Sequence, residues 1–243
     1  MVKTLTADIG NSRTKLCLFE RDGMVWKGSA TDGAALLRSV LKDTTVDRAT
    51  VCRTGRDEPL MQLLQAAGVK VLMVTGTTPT PLKVDYVTPQ TLGGDRLAAV
   101  TGAQTVWPRT DVLVIDAGTC ITYDVLTRDG EYLGGNIAPG LAMRLKAMHE
   151  GTAGLPLVEY EGRWPQLTGG STKEALLGGV LWGIRAEMAW TIDEMRRERP
   201  ALKVLFTGGD GRMFEEKINR EDTQTDEWLV ARGLNRISEY NND

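Results

Sequence analysis

The sequence predicts an α/β fold built from two similar halves, and three observations carry that prediction. Short apolar runs at strand spacing alternate with longer runs whose apolar residues recur at helical spacing. Two turns of the form Asp-x-Gly-polar, Asp8-Ile9-Gly10-Asn11-Ser12 and Asp116-Ala117-Gly118-Thr119-Cys120, each stand between strand candidates. Each turn also opens a three-strand run in its own half, which is the mark of an internal duplication.

The elements follow in order. Thr4 to Gly10 and Thr14 to Glu20 flank the Gly-Asn-Ser turn as a hairpin, and Met24 to Ala30 continues it as a third antiparallel strand. Ala34 to Lys42 and Pro59 to Ala67 are helices, alternating with strands at Ala49 to Arg53 and Lys70 to Val74. A turn-rich stretch with Pro79, Pro81 and Pro89 precedes a helix from Leu97 to Val106, which Pro108 ends. The second half repeats the pattern. Asp111 to Ile115 is a buried strand, Asp116 to Cys120 a turn, Ile121 to Leu126 and Glu131 to Ile137 two further strands, and Leu141 to His149 a helix. The longest helix spans Thr172 to Arg197 and carries Gly178, Gly179 and Gly183, which suggest close approach of another helix or a ligand. Leu202 to Phe206 is a strand and Glu227 to Tyr240 a closing helix. The expected domains are 1–108 and 109–243, with the last helix free to pack back on the first.

Composition removes several function classes. With 29 basic and 32 acidic residues the chain has a formal net charge of -3, and no basic patch marks it for nucleic acid or an anionic membrane. No apolar run reaches the roughly 18 residues of a membrane span, and the start lacks a signal-peptide core. Cys17, Cys52 and Cys120 are odd in number and irregular in spacing, so they read as free thiols in a cytosolic protein. His149 is the only histidine, and it reads as a surface residue at a helix end. A multi-histidine zinc site is thereby excluded, and chemistry falls to carboxylates, backbone amides and a hard oxygen-bound cation.

The first hairpin turn offers backbone N–H groups to an anion, and Gly10 places no Cβ in the way. Ser12, Arg13 and Lys15 add a hydroxyl and positive charge. Asp8 would repel a phosphate by itself and makes sense beside magnesium riding on one. The second turn repeats the acid, the glycine and a donor at Thr119, with Thr122 and Asp124 on its return strand. Two such turns suit a polyphosphate clamp. Neither G-x-x-x-x-G-K-[ST] nor G-x-G-x-x-G occurs. Gly93-Gly94-Asp95-Arg96 opens a helix, with Asp95 placed either to accept the proton of an alcohol or simply to cap that helix. Arg96 can hold a carboxylate or phosphate through a two-nitrogen contact.

As an ordered set these motifs resemble the type III pantothenate kinases of the acetate and sugar kinase, Hsp70 and actin superfamily. The resemblance rests on Asp8 to Lys15, Tyr86, Pro89, Gly93 to Arg96, Val114 to Thr119, Tyr132 to Gly140, Leu155-Pro156, Ser171-Thr172, Thr207 to Asp210 and Asp226 to Leu234. It implies duplicated ribonuclease H-like (actin-like ATPase) domains, each a mixed five-stranded sheet flanked by helices. It also implies ATP-dependent phosphorylation of pantothenate to 4'-phosphopantothenate, the first step of coenzyme A synthesis. By the same resemblance Asp95 accepts the proton, and Tyr86, Gly93, Gly94, Asp95, Arg96 and Thr172 contact pantothenate. Asp8, Ile9, Gly10, Asn11, Ser12, Arg13, Thr14, Lys15 and Thr119 contact ATP, which comes with Mg2+ at Asp8. Asp116 holds a monovalent cation, K+ or NH4+, and the chain forms a homodimer. Ser12 departs from the family's usual threonine and Cys120 from a frequent alanine.

Two other readings stand beside this one. A sugar kinase of the same superfamily fits less well, because Tyr86 with Gly93 to Arg96 matches the pantothenate segment. A non-catalytic nucleotide-binding regulator would be favoured by loss of Asp95 or of a phosphate turn, and all are present.

Overall fold

The computed structural model describes residues 2–55 and 57–242; Met1, Arg56 and Asp243 lie outside them. In chain order the first elements are β1 (Lys3–Ile9), β2 (Thr14–Glu20), β3 (Gly23–Ala30), α1 (Gly33–Asp43), β4 (Arg48–Arg53), α2 (Glu58–Ala66), β5 (Lys70–Met73) and β6 (Lys83–Val84). A 3-10 turn at Pro89–Thr91 leads into α3 (Gly94–Val106). There follow β7 (Val112–Ala117), β8 (Cys120–Leu126), β9 (Glu131–Pro139), α4 (Leu141–Glu150), α5 (Thr172–Glu198), β10 (Lys203–Thr207), α6 (Gly211–Ile218), β11 (Thr223–Thr225) and α7 (Leu229–Tyr240).

The chain divides into two compact units. The first comprises Met1–Thr110, Asp124–Gly134 and Trp228–Asp243; the second comprises Asp111–Tyr123 and Gly135–Glu227. In the first unit a five-stranded mixed sheet runs in the order β3-β2-β1-β4-β5, antiparallel over β3-β2-β1 and parallel over β1-β4-β5. Strand alternation sorts its faces. Leu5, Ala7 and Ile9 of β1 join Leu16 and Leu18 of β2 in a core with Leu37, Val40, Leu60 and Leu64 of α1 and α2. Cys17 and Phe19 point the other way and pack with Ala231 of α7. Asp8 belongs to that second face, in register with Lys15 on β2 and Cys52 on β4.

α3 is buried on nearly all sides from Arg96 to Ala103, so its residues are small where other chain comes close. A Cβ added at Gly102 would run into the carbonyl of Leu229, and one at Gly233 into the carbonyl of Ala98. The two glycines therefore set the close crossing of α3 and α7.

In the second unit β7, β10 and β11 are parallel, with Thr207 of β10 opposite Asp116 of β7. α5 buries a stripe at near four-residue spacing, Leu176, Val180, Ile184, Met188 and Ile192, while Met195, next in that spacing, is half-buried. Within the chain, no neighbouring atom among the described residues comes within 4 Å of a Cβ built at Gly179 or Gly183, and Gly178 meets only ordinary contacts. The complete second sheet has the order β11-β10-β7-β8-β9-β6. Five of its strands come from the second half of the sequence. The sixth, β6, pairs in parallel with the start of β9, Lys83 opposite Glu131. β6 and β11 went unforeseen because two or three residues such as Lys-Val or Thr-Gln-Thr carry no alternating pattern.

Candidate active site

The first hairpin loop consists of Gly10 to Arg13 between β1 and β2, and the Gly10 N–H donates to the Arg13 carbonyl at 3.1 Å. Gly55 is a participant the sequence did not flag. Both Thr54 and Gly55 donate their N–H groups to the Ile9 carbonyl, and a Cβ at Gly55 would strike the Gly10 carbonyl. The loop after β4 thus braces the hairpin loop. Ile9 and Thr14 are buried, while Asn11, Ser12 and Arg13 are exposed. The Arg13 guanidinium donates to Ser29 Oγ at 3.0 Å and to the Ser29 carbonyl at 2.9 Å. Lys15 and Lys27 both lie over the Trp228 ring, at 5.6 and 5.3 Å from its centroid, a contact that screens two like charges on one aromatic.

Asp8 accepts a weak hydrogen bond from the Cys52 thiol, Sγ to Oδ1 at 3.5 Å. Burial raises its pKa from 3.8 to about 6; Lys15 opposes that shift, the Asp95 charge adds to it, and the Cys52 hydrogen bond opposes it. Asp8 and Asp95 therefore feel one another within the same unit.

Asp95 is not the helix cap that its position allowed. Gly93 is the N-cap, with no side-chain cap bond, and Asp95 lies inside the first turn of α3. Gly93 has no Cβ because the Asp95 Oδ1 occupies that place, and a Cβ at Gly94 would meet the Val74 carbonyl. Both glycines of the motif are thus demanded by packing that seats this carboxylate. Burial pushes the Asp95 pKa up, opposed by backbone N–H donation from Arg96 and from Asp95 itself, with the Asp124 charge reinforcing the rise. A carboxylate biased toward holding a proton is a stronger base than an exposed one.

Arg96 is buried at 6% exposure and its guanidinium is already engaged. Nε donates to Asp124 Oδ1 at 3.0 Å and Nη2 donates to the same oxygen at 2.6 Å. Nη1 approaches the Tyr86 hydroxyl at 3.4 Å, and the guanidinium lies 5.8 Å from the Tyr86 ring centroid. Asp124, at 0% exposure, also accepts from the Tyr132 hydroxyl at 2.7 Å. Burial and the Asp124 charge hold that hydroxyl protonated well above its ordinary range. Tyr86 and Tyr132 are parallel, with centroids 6.2 Å apart. Gly134 has φ +90°, and a Cβ there would press on the Tyr86 ring at 3.2 Å. The sequence placed Asp124 and Tyr132 within motifs but did not pair either with Arg96. The available signal was an acid on a strand that is otherwise apolar from Tyr123 to Leu126.

In the second unit Asp116 lies near the end of β7, and the turn to β8 is only Gly118-Thr119, with Cys120 half-buried in the returning strand. Positions for a Cβ at Gly140 abut the carbonyls of Gly118 and Thr119, and at Gly208, which has φ +84°, they abut the Ala117 carbonyl and Asp116 Oδ1. Gly140 and Gly208 are thus the points where two other segments pack against the turn, and the Gly140 N–H donates to the Thr119 carbonyl at 3.1 Å. The Asp210 N–H donates to the Ala117 carbonyl at 2.9 Å, tying the Thr207-to-Asp210 turn to β7. Thr119 is exposed. So is Thr172, the first residue of α5, where Ser171 Oγ accepts the Glu174 N–H at 3.3 Å as the cap. His149 sits in the last turn of α4, its Nδ1 2.7 Å from the Leu155 carbonyl. Among the described residues no group of three or more His, Cys, Asp or Glu side chains is arranged to hold a metal.

Residues 4–194 match the family model of type III pantothenate kinase. The chain belongs to the type III pantothenate kinase family. A type III pantothenate kinase of Bacteroides fragilis is 43% identical over 98% of both chains, and that of Porphyromonas gingivalis is 39% identical over the same shares. Among solved structures, a Campylobacter jejuni protein titled as a Baf family transcriptional activator superposes with TM-score 0.59 at 25% identity, covering 98% of each chain. A Sinorhizobium meliloti protein titled as a 2-dehydro-3-deoxygalactonokinase gives TM-score 0.55 at 12% identity over 99% of each chain, a likeness of fold alone. The expected fold, two mixed sheets flanked by helices in the manner of the sugar kinases, is what the chain has, except that the second sheet has six strands where five were expected, because β6 adds to its edge. No helix among the described residues is long and apolar enough to cross a membrane.

Proposed function

We propose that this kinase transfers the γ-phosphoryl group of ATP to the primary hydroxyl of pantothenate, giving 4'-phosphopantothenate and ADP at the first step of coenzyme A synthesis. The carrying observation is the family match over residues 4–194 together with full-length relatives named for that activity. The seating of Asp95 at Gly93-Gly94 supports its role. As the alcohol oxygen bonds to phosphorus and the bond to the ADP oxygen breaks, Asp95 takes the hydroxyl proton and becomes the neutral acid. Tyr86, Gly93, Gly94, Arg96 and Thr172 contact pantothenate; Asp8 to Lys15 and Thr119 contact ATP.

The donor set suits the two cations of this reading. Asp8 is a raised-pKa carboxylate with a second acid in its field, which fits a hard divalent ion arriving on the nucleotide. Magnesium there would neutralise charge on the transferred phosphoryl group. Asp116, near the end of β7 with its Oδ1 beside Gly208, is the carboxylate that takes the monovalent ion, K+ or NH4+, on this reading. The enzyme works as a cytoplasmic homodimer on this reading.

The test is a turnover assay with ATP, magnesium and a panel of alcohols that includes pantothenate and hexoses, run in potassium and in sodium. Phosphopantothenate and ADP are expected, made faster in potassium. Product from a hexose alone overturns the acceptor, and equal rates in the two salts remove the cation from Asp116.

A further inference from the structure

We propose that Asp124, held in turn by Tyr132, is a positioning residue that sets acceptor binding by fixing the guanidinium of Arg96. The inference rests on the pantothenate kinase reading and adds residues to it that the motif comparison leaves without a role. Asp124 is wholly enclosed and cannot touch a substrate itself. Its Oδ1 receives three donors: Arg96 Nε at 3.0 Å, Arg96 Nη2 at 2.6 Å and the Tyr132 hydroxyl at 2.7 Å. Oδ2 lies 3.2 Å from Arg96 Nε.

That arrangement changes what Arg96 can do. A free guanidinium would grip a carboxylate with two parallel N–H groups. Here the side edge formed by Nε and Nη2 is turned to Asp124, and of the three N–H groups left over one on Nη1 is directed toward the Tyr86 hydroxyl at 3.4 Å. The charge of Arg96 is matched inside the protein, so the acceptor meets a directed N–H donor beside a tyrosine hydroxyl and no unpaired cation. Orientation then matters more than charge, and orientation depends on Asp124. Tyr132 steadies the system twice, by its hydrogen bond to Asp124 and by its ring parallel to Tyr86. Gly134 completes the support by leaving the Tyr86 ring its place.

The experiment measures kcat and KM for each substrate in the wild type and in Asp124→Asn, Tyr132→Phe, Arg96→Gln and the Asp124→Asn/Arg96→Gln double variant. Asp124→Asn keeps size but weakens acceptance from Arg96, and KM for pantothenate is expected to rise about 10-fold or more, with KM for ATP within about 2-fold of wild type. Tyr132→Phe removes one hydrogen bond without changing the ring and is expected to raise the same constant about 3-fold. Because Asp124 acts through Arg96, the double variant is expected to match Arg96→Gln alone. Equal rises in both KM values, or additive effects in the double variant, overturn the proposal in favour of a merely structural ion pair. Should Asp124→Asn fail to fold, an unchanged pantothenate KM in Tyr132→Phe overturns it. A wild type that turns over another alcohol and not pantothenate defeats the function and this inference together, which is a different result from a pantothenate kinase indifferent to Asp124.

Discussion

Asp95 and Asp8 are two acids whose pKa values burial raises, at the start of α3 and near the end of β1. Asp95 lies over Gly93 in the first turn of α3, and Asp95→Asn is expected to lower kcat about 10²-fold or more, as for loss of a general base. Near-normal turnover, measured under saturating substrates, would remove that role. Asp8 makes a stability prediction. Its pKa in the folded protein, about 6, exceeds the ordinary 3.8, so between those values the folded state holds the extra proton. Stability of the ligand-free protein therefore falls as pH rises through that window and stays lower above it. Allowing for partial exposure, Asp8→Asn should gain about 1–2 kcal/mol over wild type at pH 7.5 and nothing near pH 4. Denaturant unfolding in chelator-containing buffer checks it, and an equal difference at both pH values would count against the burial account. The acids and glycines at these positions were legible because each stands in a short motif whose chemistry is local. The ties of Arg96 to Asp124 and of Lys15 to Trp228 were not, since they join residues far apart in sequence and depend on strand register and burial.

At the scale of elements, apolar spacing located the long helices and the core strands to within a few residues. α5 was anticipated over Thr172 to Arg197 and extends over Thr172–Glu198. α3 begins three residues earlier than its apolar pattern, at Gly94, because the Gly93-Gly94-Asp95 segment coils without contributing to an apolar stripe. What periodicity could not convey was why α3 and α7 contain glycine. Gly102 and Gly233 each face backbone of the opposite helix. Gly233→Ala is expected to force the helices apart at a cost of about 1–3 kcal/mol, despite alanine's better helix propensity. Thermal melting checks this, and a raised Tm would show that the crossing is loose.

For the molecule as a whole, the assignment of α7 decides what may be removed. It follows the second unit in sequence but belongs to the first, where Ala231 covers Cys17 and Phe19 and Asn241 Nδ2 donates to the Pro79 carbonyl at 2.9 Å. A chain ending at Glu227 would expose that sheet face and the glycine side of α3. It is expected to lose the cooperative melting of the first unit, seen by circular dichroism, and a melting curve like that of the full chain would contradict this.

The same division has a consequence for how the protein is made. The first unit precedes the second along the chain, yet its segment from Trp228 onward is made only after the whole of the second. From Thr110 to Trp228 a ribosome needs roughly 6–25 s at about 5–20 residues per second. Throughout that interval the apolar face that α7 will cover stands open to solvent. Where many nascent proteins can fold from the front, this first unit has to wait for the helix that follows the second, and that interval of translation is a period of exposure that chaperones would be called on to shield.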